Sequence, residues 1–273
     1  TATINLTHND LIFRTSNTAN SVRISDANYT LTIGGNLTME SGFGMAVSCL
    51  NSTSTATLNV NGNLNNLSAK EFRLMSSGAT TSVTVNVKGN INLGSTASLN
   101  FNATNSGTTQ TNIINLYGDL TAASTSVLTN TNSNLTGKLN FAGTGDGLTA
   151  ATTQTIDIAS TGATRNQYID FSINSGAYVQ LINQNFELGK SSTVSVKTGG
   201  TFDFNFAGTT PLNITTYSTT TGFASAQGSV LKITSADGIN NTSGIIGNVQ
   251  LTTAPAYNQT ATFWYIGKTN QST

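Results

Sequence analysis

The sequence is short of almost everything that usually marks a reactive site. Its 273 residues include one cysteine, one histidine, one tryptophan and two prolines. Charged residues make up 8% of the chain, against roughly 25% in an average soluble protein. Each shortage excludes something. Cys49, standing alone, closes no intrachain disulfide, and between Val47 and Leu50 it reads as a small buried hydrophobe. One histidine and one cysteine cannot fill a tetrahedral metal shell, so no His/Cys metal site and no cofactor are expected. Eleven basic and eleven acidic residues cancel, which leaves no electrostatic footprint for nucleic acid or an anionic membrane. No apolar run approaches the roughly 20 residues of a membrane-spanning helix, so no membrane insertion is expected. The chain starts without Met and shows neither leader nor anchor, as a piece of a longer protein would.

What is present is Thr, Ser, Asn and Gly, laid over hydrophobic residues at 37% of the chain. The apolar residues alternate. Thr57-Leu-Asn-Val-Asn-Gly, Ser82-Val-Thr-Val-Asn-Val-Lys and Ser192-Thr-Val-Ser-Val-Lys each send one side chain inward and the next outward. Pairs such as Ser41-Gly42, Ser77-Gly78, Ser175-Gly176 and Thr198-Gly199-Gly200 punctuate these runs with turn chemistry. No segment keeps a 3.6-residue period; Ser68 to Met75 offers one short helical turn at most. The expectation is an all-β chain.

One phrase recurs in the first half: Leu31-Thr-Ile-Gly-Gly35-Asn36-Leu37, Leu58-Asn-Val-Asn-Gly62-Asn63-Leu64, Val85-Asn-Val-Lys-Gly89-Asn90-Ile91 and Ile114-Asn-Leu-Tyr-Gly118-Asp119-Leu120. Its glycines stand 27, 27 and 29 residues apart, and a weaker copy, Leu139-Asn-Phe-Ala-Gly143, follows 25 later. A fixed period between 20 and 50 residues is the mark of a solenoid. The reading is therefore a parallel β-solenoid (β-helix) with coils of about 27 residues, each holding about three short strands. It is a single segment over 1–273, with a regular repeat over 29–145 and a drifting one over 146–273. Gly35, Gly62, Gly89 and Gly118 are expected to turn the corner through positive φ. Asn36, Asn63, Asn90 and Asp119 tolerate the left-handed region and are expected to tie coil to coil as a ladder. Farther on, the alternation of Phe202, Phe204 and Phe206 suggests a wider, aromatic core.

No catalytic constellation emerges. His8, beside Asn9 and Asp10, has no Gly-x-Ser-x-Gly elbow to serve and reads as a surface or turn residue. Eleven acidic residues are scattered along the chain. Glycoside hydrolysis needs two carboxyls facing each other across a sugar, and only stacking of coils could unite Asp157 or Asp170 with Glu187 or Asp203. Gly143-Thr-Gly-Asp-Gly147 resembles a calcium-binding glycine-aspartate loop but occurs once, and reads as a turn. Thr-x-Thr pairs such as Thr55-Ala-Thr57 raise an ice-binding face, yet the positions after Gly62 and Gly89 do not continue a Thr rank. Phe263-Trp264-Tyr265 places Trp264 on the face opposite its neighbours, as a candidate sugar platform or as packing against a next coil.

Several phrases together resemble the large β-strand-repeat surface proteins of Bacteroidota, many exported by the type IX system. They are Tyr29-Thr-Leu-Thr-Ile-Gly-Gly-Asn-Leu-Thr38, Phe141-Ala-Gly-Thr, Thr153-Gln-Thr-Ile156, Phe171-Ser-Ile-Asn, Val179-Gln-Leu and Thr193-Val-Ser-Val. Thr198 to Phe202, Asp237-Gly-Ile, Gly247-Asn-Val-Gln250 and Ala261-Thr-Phe-Trp-Tyr-Ile-Gly267 continue the series. The resemblance implies an adhesin-like protein, secreted or on the outer bacterial surface. It implies a structural stalk or repeat segment that mediates attachment without catalysis. Expected partners are neighbouring coils of the same polypeptide, with surface glycans or other cell-surface proteins beyond them. The alternative is a carbohydrate-binding or polysaccharide-degrading β-helix.

Overall fold

The computed structural model describes residues 2–6, 9–14, 21–26, 28–40, 42, 44–49, 54–76, 82–101, 111–145, 152–218, 220–239 and 246–267. It divides into two compact units, Thr1–Leu139 and Asn140–Thr273, and no helix occurs among the described residues. The chain is an all-β parallel β-solenoid with coils of roughly 27 residues.

In the first unit every coil contributes one strand to each of three parallel sheets. The first sheet stacks Ala2–Leu6, Asn28–Ile33, Thr55–Val60, Ser82–Val87 and Thr111–Leu116. A second stacks Leu11–Phe13, Leu37–Met39, Leu64–Asn66, Ile91–Leu93 and Leu120–Ala122. The third stacks Ser21–Asp26, Gly44–Cys49, Glu71–Ser76, Ser98–Asn100 and Val127–Thr129. The segment that offered a helical turn, Ser68 to Met75, is instead a bend leading into the strand Glu71–Ser76. Phe72 and Leu74 there alternate with outward residues and are wholly buried, so the two-residue period wins.

The alternation read from sequence becomes columns of identical facing. Leu31 pairs with Leu58, Leu58 with Val85, and Val85 with Ile114, all buried. Burying each such side chain contributes roughly 1.5–3 kcal/mol, and the sum over coils replaces the single core of a globular domain. The pitch is held strictly, and irregularity is pushed into one connection. Arg73 pairs with Asn100 and Ser82 with Thr111, so the link of 82 − 73 = 9 residues becomes 111 − 100 = 11 in the next coil. That is where the 29-residue spacing arises.

In the second unit the first sheet stacks Ile169–Ile173, Thr193–Val196, Gly222–Ser225 and Ala256–Tyr257. The second stacks Gln154–Ile158, Tyr178–Leu181, Thr201–Asp203, Val230–Ile233 and Thr262–Tyr265, and the third Phe186–Leu188, Ile214–Thr216 and Val249–Gln250. Aromatic rings fill this interior. Phe202 meets Phe204 edge-to-face at 5.0 Å between centroids, and Phe171 meets Phe186 at 4.9 Å. Phe206 does not continue the row. Asn205 turns the chain at φ 47°, and Phe206–Ala207 pairs antiparallel with Thr210–Pro211 in a short hairpin outside the stack.

The glycines do two different jobs. In the second unit Gly176, Gly199 and Gly228 have φ of 78°, 73° and 67°. Each follows the second residue of a turn closed by Ala177 N–H to Asn174, Gly200 N–H to Lys197 and Ser229 N–H to Ala226; positive φ at that position is the glycine requirement of a type II turn. The phrase glycines differ from this and from the expectation. None of Gly35, Gly62, Gly89 and Gly118 has positive φ, nor do the Asn residues after them. Glycine is needed there for closeness: a Cβ on Gly89 would lie 2.3 Å from Asn63 Oδ1 and 2.8 Å from the Gly62 carbonyl.

These two roles separate on mutation. Gly89→Ala forces backbone apart and is expected to cost about 3 kcal/mol, the upper end of overpacking. Gly208→Ala, at φ 63° with open space around it, is expected to cost about 1 kcal/mol from backbone conformation alone. Denaturant titration that ranks them the other way would contradict the close-approach role.

Candidate functional site

The phrase residues come together along one corner of the first unit. The side-chain oxygen of each corner residue accepts the backbone N–H of its counterpart one coil on. Asn36 N–H donates to Asp10 Oδ1 at 2.7 Å, Asn63 N–H to Asn36 Oδ1 at 2.7 Å, Asn90 N–H to Asn63 Oδ1 at 2.8 Å and Asp119 N–H to Asn90 Oδ1 at 2.8 Å. The glycine beside each acceptor leaves the room, and the backbones meet through Gly62 N–H to Gly35 and Gly89 N–H to Gly62, both 2.9 Å. These eight residues are structural in their contacts: the oxygens that could face a ligand are spent on the next coil.

A second set of amides runs down the outward face of the first sheet. Asn59 Nδ2 donates to Thr32 Oγ1 at 3.2 Å, Asn86 Nδ2 to Asn59 Oδ1 at 2.8 Å and Asn115 Nδ2 to Asn86 Oδ1 at 2.8 Å. A shorter ladder on the second sheet links Asn92 to Asn65 and Asn65 to Thr38. Beside the first ladder Thr30, Thr57 and Thr84 do form a rank in register, contrary to the sequence expectation, and Ile113 ends it. The expectation failed because it looked after the glycines, whereas the rank lies before them.

Between this ladder and the corner lies an open groove of about 240 Å³, lined by Thr32, Asn59, Asn61, Asn86, Lys88 and Tyr117. Asn61, Lys88 and Tyr117 are the residues immediately before Gly62, Gly89 and Gly118, so they stack as one exposed rank. Lys88 Nζ sits 3.5 Å from the centre of the Tyr117 ring, a cation–π contact that holds the ring in place. Sequence reasoning missed this rank, although reading the repeat by columns at the position before glycine would have exposed it.

In the second unit Gln180, Asp203, Lys232 and Trp264 stand opposite one another in successive strands of the second sheet. Lys232 Nζ donates to Tyr178 Oη at 2.7 Å, and Tyr178 in turn donates to Asp203 Oδ2. Asp203 also accepts from Gln180 Nε2 at 3.2 Å and from the Asn205 N–H at 2.9 Å, and lies 4.0 Å from Lys232 Nζ. Burial, then the hydrogen bond to Asp203, push the Tyr178 hydroxyl far above the ordinary tyrosine range. Trp264 is 58% exposed, with Lys232 Nζ 5.4 Å from its ring.

The other carboxylates weighed as a catalytic pair are dispersed. Asp170 lies on the first sheet and accepts from Ser172, Thr193 and Ser195; Glu187 lies on the third and accepts from the Gly162 N–H. Asp157 shares the second sheet with Asp203 but is bonded by Asn183 and Gln184. Among the described residues no three His, Cys, Asp or Glu side chains gather as a metal site, and no helix is long and apolar enough to cross a membrane. His8, the side chain of Cys49 and the 146–147 part of the glycine-aspartate loop lie outside the described residues. Comparison with known proteins adds nothing to these residues: no family model, curated protein or solved structure matches the chain.

Two measurements check the contacts described. Asn63→Ala strands the Asn90 N–H and is expected to cost about 1–2 kcal/mol, whereas Asn63→Asp keeps an acceptor, as Asp10 does for Asn36, and is expected to cost less than half as much. Equal costs would remove the corner bond from the account. For Tyr178, a raised folded pKa means that the unfolded tyrosine ionises first, near pH 10. The stabilisation is therefore complete below about pH 10 and lost as pH rises beyond it. Tyr178→Phe is expected to flatten this alkaline loss and to leave the tyrosinate absorbance gained by the folded chain near pH 10 unchanged. A drop of one tyrosine's worth of that absorbance would show Tyr178 ionising freely.

Proposed function

We propose that this chain is a non-catalytic repeat segment of an exported cell-surface adhesin, a stiff stalk that takes part in attachment. The observation that carries the reading is the way polar side chains are used. The Asn and Asp of the repeated phrase spend their acceptors on the following coil, and Asp157, Asp170, Glu187 and Asp203 are bonded by neutral donors of their own unit. That is the economy of a scaffold, in which each coil is stabilised by its neighbours. The low charge, with equal numbers of both signs, suits a surface that avoids indiscriminate electrostatic contacts. The phrases resembling Bacteroidota surface repeats supply the cellular setting.

The test uses the source cell and the purified chain together. Antibodies to the chain are expected to label intact cells, and in-frame deletion of these coils is expected to lower attachment while the parent protein still reaches the surface. Labelling only after permeabilisation would defeat the surface assignment. Release of reducing ends from polysaccharides by the purified chain would defeat the non-catalytic one and favour the degrading β-helix.

A further inference from the structure

We infer that the groove along the first unit, between the Asn59–Asn86 ladder and the Asn61–Lys88–Tyr117 rank, binds a short stretch of a linear oligosaccharide. This deepens the attachment reading by naming a site and a ligand class, and rests on that reading only for where the glycan is met.

The chemistry of the lining selects the ligand. Asn59 uses one Nδ2 hydrogen on Thr32 and accepts one bond from Asn86, and Asn86 is used in the same way by Asn59 and Asn115. An amide has two N–H donors and two acceptor lone pairs, so each keeps one of both kinds. The ladder therefore presents mixed donors and acceptors, repeated once per coil at about 4.8 Å. A sugar hydroxyl, which donates and accepts at once, answers such a row. Water-filled polar grooves can also take peptide or nucleic acid, but neither fits here. A peptide strand adds to an open sheet edge, and this groove runs across the face of a paired sheet. Nucleic acid needs several phosphate contacts, and Lys88 is the one cation in the lining.

Tyr117 supplies the apolar element. It is 36% exposed beside the groove, with Lys88 packed on its ring, and an anchored tyrosine offers a sugar ring both a flat apolar surface and a hydroxyl. No carboxylate lines the groove, so it binds without cleaving. At about 240 Å³ it falls below the roughly 300 Å³ at which pockets for whole small ligands begin; it fits one or two rings of a longer chain. Lys88 adds a preference: a uronic acid residue would place its carboxylate near the ammonium.

The experiment presents the purified chain with two panels of linear oligosaccharides, neutral and uronic-acid-containing, and measures affinity by titration calorimetry. At least one panel is expected to bind. Tyr117→Ala is expected to weaken that binding about five- to tenfold, with Tyr117→Phe retaining most of it and thermal unfolding unchanged in both. Lys88→Ala separates the panels, lowering affinity for uronates and leaving neutral chains nearly alone. Trp264→Ala, in the other unit, is expected to change nothing. The inference is overturned if neither panel binds, if binding survives Tyr117→Ala combined with Lys88→Ala, or if Trp264→Ala abolishes it. Any of these results leaves the cell-labelling and attachment outcomes untouched, so the site can fail while the surface role stands.

Discussion

The structure of the first unit depends on one contact made repeatedly: a corner carboxamide or carboxylate oxygen accepting the backbone N–H of the residue one coil later. A β-arc must turn the chain sharply while keeping its peptide groups bonded, and at a corner the sheet ladders no longer supply partners. Asn63 solves this for Asn90, as Asn36 does for Asn63 and Asp10 for Asn36. The solution works only if the following coil offers no side chain where the oxygen sits. Glycine at 62, 89 and 118 is thus the second half of the same contact. The pair also fixes register, since a slip of one residue would put a Cβ into that oxygen and turn the apolar columns outward.

Much of this was legible in the sequence. Alternation and the 27-residue pitch are local signals, and they lead directly to parallel strands, a three-sided coil and the inward columns of Leu, Val and Ile. The reason for the glycines was not legible. Positive φ is a property of one residue, and at Gly176, Gly199 and Gly228 the Ser-Gly and Thr-Gly turn chemistry points to it correctly. Close approach is a property of two coils, and nothing beside Gly89 in the chain says that Asn63 lies over it. Phe206 shows the opposite error: the alternation continued in sequence, but Asn205 in the left-handed region broke the strand.

The candidate sites were legible only in columns. Tyr178, Asp203 and Lys232 lie 25 and 29 residues apart, and the drift of the repeat hides their alignment. Once Tyr-Val-Gln-Leu, Thr-Phe-Asp-Phe, Val-Leu-Lys-Ile and Thr-Phe-Trp-Tyr are stacked, Gln180, Asp203, Lys232 and Trp264 fall into one rank. The same holds for Asn61, Lys88 and Tyr117. In a solenoid, residues that act together are a coil apart, so a search for neighbours in sequence looks in the wrong direction.

The two units also differ in how they use charge. Along the corner and ladder of the first, neutral amides repeat, because an amide can both donate and accept and so passes a hydrogen bond on to an identical residue. A carboxylate cannot: ionised, it only accepts, and a stack of them would repel. Asp119 accordingly receives the Asn90 bond through its backbone N–H. In the second unit each carboxylate stands where several different donors converge, as Ser172, Thr193 and Ser195 do on Asp170. An amide ladder can be extended coil by coil without limit, whereas an acid-centred cluster is local and needs its own set of donors. Regular pitch and neutral corners therefore belong together, and so do drifting pitch and scattered acids; the loss of the Gly-Asn phrase in the second half follows from that exchange of one bonding scheme for the other.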